Sequence, residues 1–201
     1  MNYKVITPAS IEPVTLAEAR SHLRIDAFGS PPSHPDDDYI EQLISVSREW
    51  LEDYLRRALA TKTIDASFDS FDEIEIPFQP VQSITSIKYQ DVYDVEQTVA
   101  TTVYKLDTFS GNVVLKYNQT WPSTYPEKGV VKVRAVVGYT TGQSPDIEPM
   151  PFPIKAAMLL IIGNLYENRQ QDLLSNSRAT FNSLPMGVYN LIQPYRLGLG
   201  M

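Results

Sequence analysis

Five carboxylates, Asp65, Asp69, Asp72, Glu73 and Glu75, crowd into residues 65–75. Two such groups held at the right separation can serve as acid and base in glycoside hydrolysis. The strand-like alternation around them points them outward, and an outward row of carboxylates is a solvated face or an edge that resists aggregation. His34 stands beside Asp36, Asp37 and Asp38, a mixed oxygen and imidazole set of the kind that binds metals, but the spaced ligand order of a calcium loop is absent. These carboxylates sit instead where a helix would begin, against unpaired N–H groups and the positive dipole end. His22, the other histidine, lies in a short helical stretch with neither a serine elbow nor a metal-binding helix motif. Trp121-Pro122, with Tyr117, Tyr125 and Tyr139 nearby, offers an aromatic platform for a sugar or, more ordinarily, a lid over a small β core. The nine glycines are nowhere grouped as a phosphate loop requires. The expectation is therefore no catalytic residue, no cofactor and no metal.

Composition narrows the classes further. With 201 residues and 43% hydrophobic content, the chain can bury one good core, or one core with a smaller appended module. It has no cysteine, which excludes disulfides and thiolate chemistry and fits a reducing cytoplasm. The first ten residues lack the basic start and apolar run of a signal peptide. The longest apolar run, 156–162, is too short for a bilayer, which needs ~20 residues, so no membrane partner is expected. A net charge of −7 argues against a protein whose main business is gripping phosphates.

The elements that position these residues follow from periodicity. Ile40, Leu43, Ile44, Leu51, Leu55 and Leu59 fall at helical spacing within 36–59, the longest such seam in the first half. Thr15-Leu16-Ala17-Glu18 reads as a capping box and predicts a short helix over 16–24. Residues 27–35 carry Gly29, Pro31, Pro32 and Pro35 and must form a loop. A third helix, apolar on nearly every side, is predicted over 154–169, entered through a proline-rich connector at 142–153. Residues 172–184, rich in Ser and Asn, predict a loop, and 185–193 a short last helix.

Between the long helices the period changes. Segments 63–68, 73–76, 81–89, 99–106, 112–117 and 130–139 are β-branched or aromatic and are separated by turn residues. The predicted fold class is α+β: a mainly helical core of two long packed helices plus short ones, with an inserted antiparallel β module. The corresponding divisions are 1–62, 63–141 and 142–201.

Trp50 and Val46 lie off the main stripe of the 36–59 helix and give it a second partly apolar face. Arg48, Arg56 and Arg57 add guanidinium groups, which together with tryptophan carry much interface energy. The competing expectation for Trp50 is that the β module of the same chain covers it.

The order of motifs resembles the head-tail connector (adaptor) proteins of long-tailed bacteriophages and prophages. The likeness runs from Glu12-Pro13-Val14-Thr15-Leu16-Ala17-Glu18-Ala19-Arg20 and His22-Leu23-Arg24-Ile25 through Asp37-Asp38-Tyr39-Ile40, Ile76-Pro77, Pro80-Val81, Trp121-Pro122 and Gly138-Tyr139. It continues through Pro153-Ile154-Lys155-Ala156-Ala157 and Tyr166-Glu167-Asn168-Arg169 to Leu191-Ile192-Gln193-Pro194-Tyr195-Arg196. The resemblance implies a structural virion protein without catalytic residues, assembled in the host cytoplasm. It would form a homo-oligomeric ring at the head-tail junction, under the portal protein and above a tail-side connector or stopper, with DNA passing through unbound. On that reading the candidate subunit or portal contacts are Val46, Arg48, Trp50, Arg56, Arg57, Tyr195 and Arg196. Two other functions fit the same residues: a tail-completion protein one step further from the head, and a β-module hydrolase or sugar-binding protein working through the 65–75 carboxylates or Trp121.

Overall fold

The computed structural model describes residues 2–29, 32–72, 74–107, 110–139, 149–169 and 186–198. Glu73, most of the 142–153 connector and the whole 172–184 loop lie outside them. The chain divides into a helical unit, Glu12–Leu59 with Met150–Met201, and a β unit, Met1–Ile11 with Ala60–Pro149. The class is α+β.

In the helical unit, α1 spans Leu16–Leu23 and α2 spans Asp37–Leu55. Helix α3 spans Phe152–Glu167, α4 spans Met186–Ile192, and a 3-10 turn at Gln193–Tyr195 follows. The capping box is formed: the Thr15 hydroxyl accepts from the Glu18 N–H at 3.2 Å and the Glu18 carboxylate accepts from the Thr15 N–H at 2.9 Å. Helix α2 buries Ile40, Leu43, Ile44, Leu51 and Leu55 and packs on α3, which buries Ile154, Ala157, Met158, Ile161 and Ile162. It ends four residues before the expected Leu59, because Arg56 adopts a left-handed conformation with φ 56°. Ala58 and Leu59 remain fully buried beyond that stop. The Leu59 N–H is satisfied by the Glu52 carboxylate at 2.7 Å, which holds the chain against the helix it has just left.

In the β unit, β1 is Asn2–Thr7, β2 Lys62–Phe68, β3 Val81–Gln90 and β4 Glu96–Thr98. Strands β5, Tyr104–Asp107, and β6, Asn112–Leu115, form a separate hairpin, and β7 is Val131–Val137. The main sheet has the order β1-β2-β7-β3-β4, with every pairing antiparallel. One face is apolar: Ile64, Ala66 and Phe68 of β2 stand opposite Ala135, Val133 and Val131 of β7, and all six are buried. The other face carries Asp65, Ser67, Lys132 and Arg134, as the two-residue side-chain period requires. Trp121 stacks on the buried Phe71 with ring centroids 4.7 Å apart.

Four expectations change. The sheet unit is as large as the helical one, so the fold is not mainly helical. Residues 2–7, expected with the helical part, form the edge strand β1, exposed along its whole length. Tyr3 and Val5 stand opposite the buried Ala66 and Ile64 and Lys4 opposite Asp65, so the strand alternates only over a few exposed residues, a short signal. The expected 73–76 strand reduces to a bridge between Glu75 and Asn112, and the expected 99–106 strand is split by a turn at 101–103, with β4 ending at Thr98 and β5 starting at Tyr104.

Candidate assembly surface

Of the 65–75 carboxylates, Asp65, Asp69 and Asp72 have separate partners. Asp65 makes a two-point pair with Arg134 at 2.7 and 2.8 Å, which holds its carboxyl below the ordinary aspartate range. Asp69 accepts from the Gly129 N–H at 2.8 Å, and Asp72 from the Ser70 hydroxyl at 2.9 Å. Each is taken by its own local partner.

The start of α2 is also more committed than a solvated helix end. Asp36 accepts from the Tyr166 hydroxyl at 2.5 Å and from Arg169 at 2.7 Å, and these hydrogen bonds lower its pKa, Tyr166 first. The Arg169 guanidinium lies 4.7 Å from the Tyr39 ring centroid and 4.6 Å from that of Tyr166. Asp37 pairs with Arg20, which lowers its pKa, and accepts from the His34 N–H at 2.7 Å. These carboxylates pin the first turn of α2 to α1 and to the end of α3. His34 meanwhile spends its Nδ1 accepting from the Asp36 N–H at 3.1 Å.

Of the expected contact residues, Arg48 is drawn inward. Its guanidinium meets Glu12 at 2.8 Å, Glu52 at 3.2 Å and Glu49 at 3.5 Å, with its side chain 11% exposed. Burial works against its charge, but the Glu12 hydrogen bond and the carboxylates around it outweigh that and hold its pKa above the ordinary value. Arg48 therefore fastens the segment before α1 to α2. Arg48→Met is expected to cost about 2–3 kcal/mol, below the usual figure for breaking a buried pair because Glu12 stays partly solvated. A urea titration measures this, and an unchanged midpoint would contradict the assignment.

Trp50, Arg57, Tyr195 and Arg196 are gathered on one patch. The Trp50 ring stacks on Tyr54 at 5.4 Å with 9° between planes, and Tyr189 of α4 meets both rings edge-on, at 6.3 and 5.7 Å. The Arg196 guanidinium lies 4.9 Å from the Tyr54 ring centroid. Arg57 donates to the Tyr195 carbonyl at 2.7 Å, and the Leu197 N–H donates to the Leu55 carbonyl at 3.1 Å, so the end of the chain is tied to the end of α2. Trp50 is half-buried, and its ring partners Tyr54 and Tyr189 both belong to the helical unit. Arg56 is exposed at the stop of α2. Val46, 52% exposed, lines a shallow depression with Asp38, Glu41, Gln42 and Ser45. The four-residue spacing of Trp50 and Tyr54 signals neighbours on one helix face. Tyr189 had no signal, since only the fold brings it there.

A sequence model of the family described as phage gp6-like head-tail connector protein matches residues 13–122. Among solved structures, the chain is similar to one from the neck of an empty gene transfer agent (GTA) particle computed with C6 symmetry. That likeness has a TM-score of 0.76 at 20% identity, covering 100% of this chain and 98% of that one. A chain of the virion of a native gene transfer agent particle follows at TM-score 0.72, and one from the neck of a native particle computed with C12 symmetry at 0.67. Both are 20% identical, with 100% of this chain and 98% of theirs covered. These likenesses show a shared fold. No curated protein matches the sequence.

Proposed function

The chain belongs to the phage gp6-like head-tail connector family, and on that premise we propose that it is a structural component of a virion's head-tail junction with no enzymatic role. It assembles in the bacterial cytoplasm as a ring seated between the portal protein and a tail-side connector or stopper, and DNA passes through it without sequence-specific binding. The family match carries the reading. The fold shared with neck proteins computed in sixfold and twelvefold symmetry supports the ring.

A ring is built from head-to-tail contacts, in which one face of a subunit meets a different face of the next. The patch of Trp50, Tyr54, Tyr189 and Arg196 supplies one contact, to the next subunit or to the portal, because a half-buried tryptophan with stacked tyrosines and an arginine is the composition that dominates interface energy. Arg196→Ala tests it with little risk to the fold, since Arg196 is exposed. The expected result is an unchanged melting curve together with loss of ring formation or of portal binding by about tenfold or more, read by sedimentation alone and with portal protein. Unchanged assembly in both mixtures would reduce the patch to packing within the chain.

A further inference from the structure

The outer face of the main sheet is positively charged on a chain whose net charge is −7. Register places Lys4 opposite Asp65, Asp65 opposite Arg134, and Lys132 opposite Lys88. Together with Glu96, that makes four cations against two carboxylates. Both carboxylates are already paired, Asp65 with Arg134 at 2.7 Å and Glu96 with Lys88 at 2.7 Å. Lys4 and Lys132 have no ion pair among the described residues. Glu96 already answers Lys88 and lies in the field of Lys132, so what remains is the face's surplus of two positive charges, which favours an external anionic surface.

The helical unit presents the complement. Asp38, Glu41, Glu49 and Asp53 are exposed on the outer side of α2, with Val46 among them at 52% exposure. Arg48 is the only basic residue of α2, and it is turned into its own carboxylate network, so among the described residues the stripe's one ion pair is the weak 3.5 Å contact of Arg48 with Glu49.

Resting on the ring reading above, we propose that the outer sheet face of one copy receives the acidic outer side of α2 from the next copy, making an electrostatic subunit contact. The two faces are unlike and oppositely charged. Such complementarity sets the direction of a head-to-tail contact and disfavours face-to-face pairing of identical surfaces.

A double and a triple variant test this. Lys4→Glu with Lys132→Glu makes both faces acidic, and Asp38→Lys with Glu41→Lys and Asp53→Lys leaves Glu49 alone against three lysines and makes both basic. None of the five residues has an ion pair among the described residues, so both variants are expected to stay close to the parent's melting curve. Each alone should need a concentration at least ~10-fold higher than the parent to assemble. Mixed in equal amounts they should assemble again, in rings of even copy number only, because each contact then requires one copy of each kind; native mass spectrometry reads this directly. Assembly of either folded variant at the parent's concentration, or failure of the mixture, would overturn the contact while leaving the ring intact. An independent arm uses the parent alone: raising NaCl from about 0.05 to about 0.5 M should raise its assembly concentration about 10-fold, and insensitivity to salt would likewise overturn the contact. A parent that never assembles overturns the ring reading itself.

Discussion

Gly138→Ala should leave little folded protein. The residue follows β7 at φ +112°, a conformation that side-chain-bearing residues rarely adopt, and a Cβ there would fall 2.2 Å from the backbone oxygen of Ala60. A flexible side chain could move aside, but Ala60 leads directly into β2, the strand that pairs with β7 along Lys62–Val137. The Gly138 N–H also donates to the Pro80 carbonyl at 2.8 Å, and its carbonyl accepts from the Gln82 amide at 2.7 Å, so the backbone is tied to β3 as well. The strained φ alone costs about 1–3 kcal/mol, and the clash adds to it. Small domains are stable by only about 5–15 kcal/mol. The expectation is a loss of more than ~3 kcal/mol, visible as a collapsed urea midpoint or as insoluble protein. A variant with the parent's midpoint would show that the approach to Ala60 relaxes freely.

Leu51→Ala tests the helical unit in the same way. Leu51 is fully buried on α2, in the stripe that packs on α3, and its loss leaves a cavity that two long helices cannot readily close. The cost should be about 2–5 kcal/mol, against well under 1 kcal/mol for an exposed position on the same helix. A thermal melt within a degree of the parent would remove Leu51 from the core.

The helices were legible because their causes are local. The Thr15–Glu18 box, the stripe from Ile40 to Leu55 and the proline at the start of α3 each act within a turn or two of chain. The inward turn of Arg48 could not be read from its own sequence neighbourhood. Its fate depends on Glu12, 36 residues away, and a buried charge follows its partner rather than its helix face. Asp36 was read as solvated for the same reason, since Tyr166 and Arg169 reach it only through the α2–α3 packing. The strand β1 escaped notice because its alternation, Tyr3 and Val5 against Lys4, spans only a few residues. The motif glycine at 138 could be read from sequence as a marker, but only the Ala60 backbone beside it explains why no other residue serves there.

The aromatic patch stands between these cases. Trp50 could be singled out because a tryptophan off the buried stripe is an expensive residue to leave in water. Its partners Tyr189 and Arg196 lie far along the chain, and the ties of Leu197 to Leu55 and of Arg57 to Tyr195 hold that segment at the end of α2.

The central claim, that this chain joins heads to tails, is tested most directly by electron microscopy of particles made from the genome that encodes it after the gene is deleted. The prediction is DNA-filled heads without tails alongside free tails, with tailed particles restored when the intact gene is supplied in trans. Normal tailed particles in the deletion would contradict it.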